Sequence, residues 1–203
     1  GSGVTALAGS NTYSGTTTAT GGTLAVQHAQ ALGTADGLAA TGTSVTSSNA
    51  TVRLENGITV ANERLSSPAG INFNLASSGT GITNVWTGSV ASGTYMYLRP
   101  GSGNTLRLDG VVSTNNNDLY LADSGKVAFH GSFSNVARLY IGNGGSPTAE
   151  VNANLSTVSP LYVNSSSTLA GTGTVSWTGT AIAQVYGSAN PGTGVTTAIL
   201  NTD

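Results

Sequence analysis

The sequence predicts an all-β chain wound as a right-handed parallel β-helix, a β-solenoid with rungs of about 20–23 residues. Three observations carry this reading. A nine-place pattern of alternating apolar and polar residues recurs at a nearly constant spacing. A tyrosine-centred tripeptide recurs in step with it. The composition is rich in residues that favour turns and strands over helix interiors.

The nine-place element comes first. Its copies are Thr105-Leu-Arg-Leu-Asp-Gly-Val-Val-Ser113, Lys126-Val-Ala-Phe-His-Gly-Ser-Phe-Ser134, Thr148-Ala-Glu-Val-Asn-Ala-Asn-Leu-Ser156 and Thr168-Leu-Ala-Gly-Thr-Gly-Thr-Val-Ser176. Their starts, at Thr105, Lys126, Thr148 and Thr168, are almost evenly spaced. Apolar or small residues fill the second, fourth and eighth places, which is the period-2 signature of a half-buried strand. A looser copy starts at Thr83, with Trp86, Gly88 and Val90 in matching places. Thr51-Val-Arg-Leu-Glu-Asn-Gly-Ile-Thr59 has the same texture but lies well over one rung before Thr83. That gap predicts an insertion over 61–82, read either as a loop on one face or as a longer rung.

The second element reads Met96-Tyr97-Leu98, Leu119-Tyr120-Leu121, Leu139-Tyr140-Ile141 and Leu161-Tyr162-Val163, on the same period. Two elements with one period predict stacked rungs, each strand pairing with the next at about 4.8 Å. The candidate core is Leu106, Leu108, Val112, Leu119, Leu121, Val127, Phe129, Phe133, Leu139, Ile141, Val151, Leu155, Leu161, Val163 and Leu169. Gly, Asn and Ser between strands supply turns, since they tolerate left-handed backbone angles. The serines at 113, 134, 156 and 176 are expected to stack and bond through their hydroxyls.

Of the 203 residues, 29 are Gly, 30 Thr, 25 Ser and 18 Asn, and only 7% are charged. The net charge of −2, with one Lys and five Arg, lacks the basic footprint of a nucleic-acid binder. The absence of cysteine excludes disulfides and thiolate zinc sites. No apolar run approaches the ~20 residues of a membrane helix. Gly1-Ser2 reads as a cloning scar, leaving 3–203 as a single β-helix domain excised from a longer chain.

The N-terminal stretch carries Asn11-Thr12-Tyr13-Ser14-Gly15, then Gly21-Gly22-Thr23-Leu24, then Ala31-Leu32-Gly33. In spacing and order it resembles the autotransporter-associated β-strand repeat, also called the passenger-associated transport repeat. Leu169-Ala-Gly-Thr-Gly-Thr-Val175, followed by Asn190-Pro-Gly-Thr-Gly194, is similar to the closing pattern of such passengers. The resemblance implies a right-handed parallel β-helix exported by type V secretion to the bacterial surface or beyond. It also implies a separate translocator β-barrel, so no membrane insertion is expected of this segment.

The expected function is structural and adhesive, by binding a host or bacterial surface glycan or protein, or by self-association. A polysaccharide-binding or polysaccharide-cleaving β-helix and an inert export spacer are the alternatives. If the rungs stack, Tyr97, Tyr120, Tyr140 and Tyr162 form a column on one outer face, with Arg99 and Arg138 beside it. Tyrosines offer rigid contact area with a hydroxyl, and arginines suit an anionic ligand. The same column also serves as plain cross-strand stabilisation.

Catalysis is not expected. Hydrolysis of a polysaccharide needs two carboxylates about 5–9.5 Å apart, and Asp109 and Glu150 occupy different places in the repeat. Asp118, Asp123, Lys126 and His130 complete the nearby ionisable groups, with His130 at an outward, solvated place. Asp123-Ser124-Gly125 has the look of a serine nucleophile but lacks a placed histidine. Asn115-Asn116-Asn117-Asp118 has no calcium-loop spacing and reads as a turn. No metal or cofactor is expected.

Overall fold

The computed structural model describes residues 2–178 and 180–191. Over these residues the chain is all-β, with no helix, and its parallel strands stack as a β-solenoid of about eight turns. Each full turn visits three faces. The first carries Val4–Leu7, Thr23–Val26, Ala50–Leu54, Phe73–Ser77, Met96–Pro100, the second halves of Val112–Asp123 and Phe133–Gly145, Tyr162–Val163 and Gln184–Val185. The second carries Thr59–Val60, Thr83–Trp86, Thr105–Leu108, Lys126–Phe129, Thr148–Val151, Thr168–Gly171 and Ser188–Pro191. The third carries Thr17–Ala19, Thr43–Val45, Leu65–Ser66, Val90–Ala91 and the first halves of the two long strands. Asn154–Thr157 and Thr174–Trp177 pair with each other as a separate two-stranded sheet.

The predicted register holds over the first four places of each copy. Thr105 pairs with Lys126, Lys126 with Thr148 and Thr148 with Thr168, and Thr83 pairs with Thr105. Fourteen of the fifteen candidate core residues are buried, and Leu169 packs against the core half-buried. Phe73, Leu75, Trp86, Met96 and Leu98 add to that core. Alternation explains the burial, because every second side chain of a strand points into the column.

Three expectations are corrected. Thr51 does not belong to the column of Thr83 and Thr105. It pairs with Asn74, which pairs with Tyr97, so Ala50–Leu54 lies on the first face. The strand beneath Val85-Trp86 is Thr59-Val60. Period-2 alternation marks a strand but not its face, so segments from two faces looked alike. In consequence the stretch 61–82 is no protruding loop but the longer rung of the two readings: Leu65–Ser66 and Phe73–Ser77 pair in register within it, and Thr59 pairs across it with Val85. The longest turn lies earlier, between Thr23 and its partner Thr51.

The serines at 113, 134, 156 and 176 do align in pairs, 113 with 134 and 156 with 176. Their hydroxyls make no bonds to one another among the described residues. The bonding column lies one residue further on, at the inward places of Ser67, Ser92, Thr114 and Thr157. Ser92 Oγ donates to the Tyr95 carbonyl at 3.1 Å, Thr157 Oγ1 to the Ser159 carbonyl at 2.7 Å, and Thr114 Oγ1 to the Asn117 carbonyl. At these corners the hydroxyl supplies a main-chain carbonyl with a donor.

The corners follow from residue chemistry. Asn115 and Asn116 hold φ of 49° and 58°, which bends Val112–Asp123 from the third face onto the first. At another corner Gly88, Gly110 and Gly131 stack. A Cβ on Gly88 would overlap the Glu63 carbonyl, one on Gly110 the Gly88 carbonyl, and one on Gly131 the Gly110 carbonyl. Space, rather than backbone angle, reserves these places for glycine.

The long N-terminal turn brings two of the quoted motif segments together. Asn11 Nδ2 donates to the Ala31 carbonyl at 2.8 Å, and Thr34 N to the Tyr13 carbonyl at 2.8 Å. Gly33 has φ of 82°, and a Cβ there would strike the Tyr13 carbonyl. Ala31 and Leu32 are buried. In the second quoted stretch, 169–171 and 174–175 are strand residues, whereas Gly192-Thr193-Gly194 lies outside the described residues.

Candidate functional site

Parallel in-register pairing puts identical places of successive rungs side by side. Tyr97 pairs with Tyr120, Tyr120 with Tyr140 and Tyr140 with Tyr162. The flanking residues of each tripeptide are buried, so each tyrosine is directed outward and stays half-buried. Ring centroids are 5.1 Å apart for Tyr97 and Tyr120, with 25° between planes. They are 5.5 Å apart at 49° for Tyr120 and Tyr140, and 4.1 Å apart at 17° for Tyr140 and Tyr162.

Two more tyrosines join this column, one beside its first two rings and one beyond its last. Tyr95 lies edge-on to Tyr97 and Tyr120, at 5.8 and 6.0 Å. Tyr186 lies 5.7 Å from Tyr162. Six of the seven tyrosines of the chain thus form one continuous ladder. Tyr95 and Tyr186 fall outside the tripeptide. Their signal was their outward parity: each sits two places from an outward residue on the same face, Tyr97 and Gln184.

The stacking decides what the face presents. In the two parallel pairs each ring covers its neighbour's face, leaving edges and hydroxyls for solvent. Broad stacking of a sugar on those covered faces is therefore blocked. Tyr120 Oη donates to Asp118 Oδ2 at 3.2 Å. Burial, with the adjacent Asp118 carboxylate, pushes the Tyr120 phenol up to about 12. Burial and the Tyr162 hydroxyl likewise raise Tyr140.

The two arginines differ. Arg99 is committed: Nε donates to Asn74 Oδ1 at 2.8 Å, Nη1 to Asp123 Oδ1 at 3.0 Å, and the guanidinium lies 5.1 Å from the Tyr97 ring centre. It straps three rungs together. Arg138 has no carboxylate partner among the described residues, and its Nε is buried without a hydrogen bond. Its charge reaches both Tyr120 and Tyr140.

The acids considered for hydrolysis are engaged elsewhere. Arg107 grips Asp109 in two bonds of 2.7 and 3.0 Å. Glu150 accepts from Lys126 Nζ at 2.7 Å and Asn152 Nδ2 at 2.8 Å, and these bonds hold its carboxyl below the usual range. Asp123 ends the strand Val112–Asp123 with φ of 63° and faces Arg99. His130 is exposed and lies 3.2 Å from Asn152 Nδ2. Asn115, Asn116 and Asn117 form the corner turn, where Asn117 Nδ2 donates to the carbonyls of Thr114 and Asn115. Among the described residues no three metal-ligating side chains gather, and no helix is long and apolar enough to cross a membrane.

No family model, curated protein or solved structure matches the chain.

Proposed function

We propose that this chain is a structural and adhesive segment of a surface-displayed or secreted bacterial autotransporter passenger. Its tyrosine face contacts a surface glycan, a protein or a second copy of the chain. The single observation that carries the reading is the register of Tyr97, Tyr120, Tyr140 and Tyr162 on one outer face. Plain sheet stabilisation needs no cation held near the phenols, yet Arg138, whose charge acts on Tyr120 and Tyr140, has no carboxylate partner among the described residues. Packing of segments 11–15 and 31–33 against each other is consistent with the passenger-repeat resemblance.

The covered ring faces favour a partner that bonds to hydroxyls and ring edges, such as an extended peptide or a glycan rich in acceptors. They disfavour the sugar platform of a polysaccharide-cleaving enzyme, and the ion-paired acids supply no free carboxylate pair for it.

The test is binding of the purified chain to glycan, matrix-protein and self panels. It is run beside two variants in which Tyr97, Tyr120, Tyr140 and Tyr162 all become Phe or all become Ala. Binding lost in both folded variants places the contact on the hydroxyl row. Binding lost only in the Ala variant places it on the rings. No binding by the parent chain sinks the adhesive part and leaves an export spacer.

A further inference from the structure

The tyrosine ladder also has the geometry of a covalent modification site. We propose that Tyr140 and Tyr162 are an oxidative coupling pair, joined ring to ring as dityrosine by a haem peroxidase and hydrogen peroxide.

The two side chains come from strands paired in direct register, with centroids 4.1 Å apart and 17° between planes. That is close to van der Waals contact for stacked carbons, and no other pair in the ladder is so near or so parallel. Both rings lie on the outer surface, so a side-chain rotation brings their ortho carbons together without disturbing the core. The ladder also gives the oxidant a way in. Tyr186 is 64% exposed and lies 5.7 Å from Tyr162, and Tyr95 is 38% exposed near the other end. A phenoxyl radical formed at either end has a neighbouring ring within 6.0 Å at every step. The chain has no cysteine to intercept it.

The chemistry balances. Each phenol gives up one electron and one proton. The two radicals join through one new carbon–carbon bond between positions ortho to the oxygens. The two ortho hydrogens then move to the oxygens and restore both phenols. Hydrogen peroxide accepts the two electrons and two protons and leaves as two waters. The product staples two adjacent rungs, a role the missing disulfides cannot fill.

The test treats the folded chain with a haem peroxidase and hydrogen peroxide, isolates the monomer, unfolds it and cleaves after glutamate. Glu150 lies between Tyr140 and Tyr162, and it is the only glutamate or aspartate between them. Coupling of this pair is expected to lower the mass by two hydrogens, give dityrosine fluorescence and leave the two pieces that flank Glu150, 64–150 and 151–203, joined after cleavage at Glu55, Glu63 and Glu150. Tyr140→Phe and Tyr162→Phe, which keep the stacked ring, are each expected to abolish the joined product. Tyr97→Phe is expected to retain it. Pieces that separate overturn the proposal, because coupling of Tyr97 with Tyr120, Tyr120 with Tyr140 or Tyr162 with Tyr186 falls on one side of Glu150. Joined pieces that persist in Tyr162→Phe overturn it as well. No ligand enters the experiment, so its result is independent of the adhesive reading.

Discussion

Trp86 donates its indole N–H to the main-chain carbonyl of Glu63, 2.8 Å away inside the solenoid. The tryptophan is fully buried, and the carbonyl belongs to the preceding rung. Trp86→Phe removes the donor and part of the volume. A buried carbonyl left without a partner costs about 1–3 kcal/mol, and the void adds to it. Chemical denaturation should show a loss of at least that size, and an unchanged midpoint would refute the role given to the bond.

Gly110 stands on the carbonyl of Gly88, where a Cβ has no room. Gly110→Ala must push two rungs apart, and overpacking of this kind costs roughly 1–3 kcal/mol. Gly103→Ala is the control for conformational strain alone, since its Cβ meets open space but its φ is 75°. Thermal unfolding of the two variants separates crowding from backbone preference.

Glu63 is only 2% exposed, and burial raises its carboxyl above the ordinary 4.5, against the bond from Thr43 Oγ1 at 2.8 Å. The folded state therefore holds this proton more tightly than the unfolded chain does. Its contribution is fully present below pH 4.5 and is lost as pH rises through the raised value. Glu63→Gln should make the protein more stable at neutral pH, with the gain disappearing below about pH 4. Glu55 and Glu150 act in the opposite sense, because hydrogen bonds from Gln27 and Lys126 lower them. Their stabilisation is present above the ordinary 4.5 and is lost as pH falls through the lowered values. Stability measured from about pH 3 to 8 on parent and variant resolves the two contributions.

A double-mutant cycle on Tyr140 and Tyr162 should give a coupling of about 0.5–1.5 kcal/mol with Ala at both places. The same cycle with Phe should give nearly none of the loss, because the stacked faces survive. A coupling near zero in the Ala cycle would show that the rings merely sit side by side.

Much of this was legible in the sequence because stacking repeats one environment at every turn. Lys126 and Thr148 share a register that their spacing already announced, and the same holds for Tyr120 and Tyr140. What failed was placement by texture. Thr51 alternates like Thr105, yet corner residues, not alternation, decide which face a strand joins. The hydroxyl column was missed by one residue, since an exposed serine at a fixed place is more visible than the inward Ser92 or Thr114. The state of Arg99 was not legible either: its partners Asn74 and Asp123 lie a full rung away in sequence, on the turns either side. Tyr95 and Tyr186 offered only their outward parity, and their contact with the ladder came from the three-dimensional path of the chain.

The glycine corner and the strand register have a consequence for assembly. In every strand pairing described, a rung touches only the one before it and the one after, and the widest step is the one from Thr23 to Thr51. The rod can grow a turn at a time, each finished edge serving as the template for the next. The entropic cost of each addition is that of closing a loop of one turn, however long the rod has become. A chain delivered from one end needs nothing from its undelivered part in order to be captured.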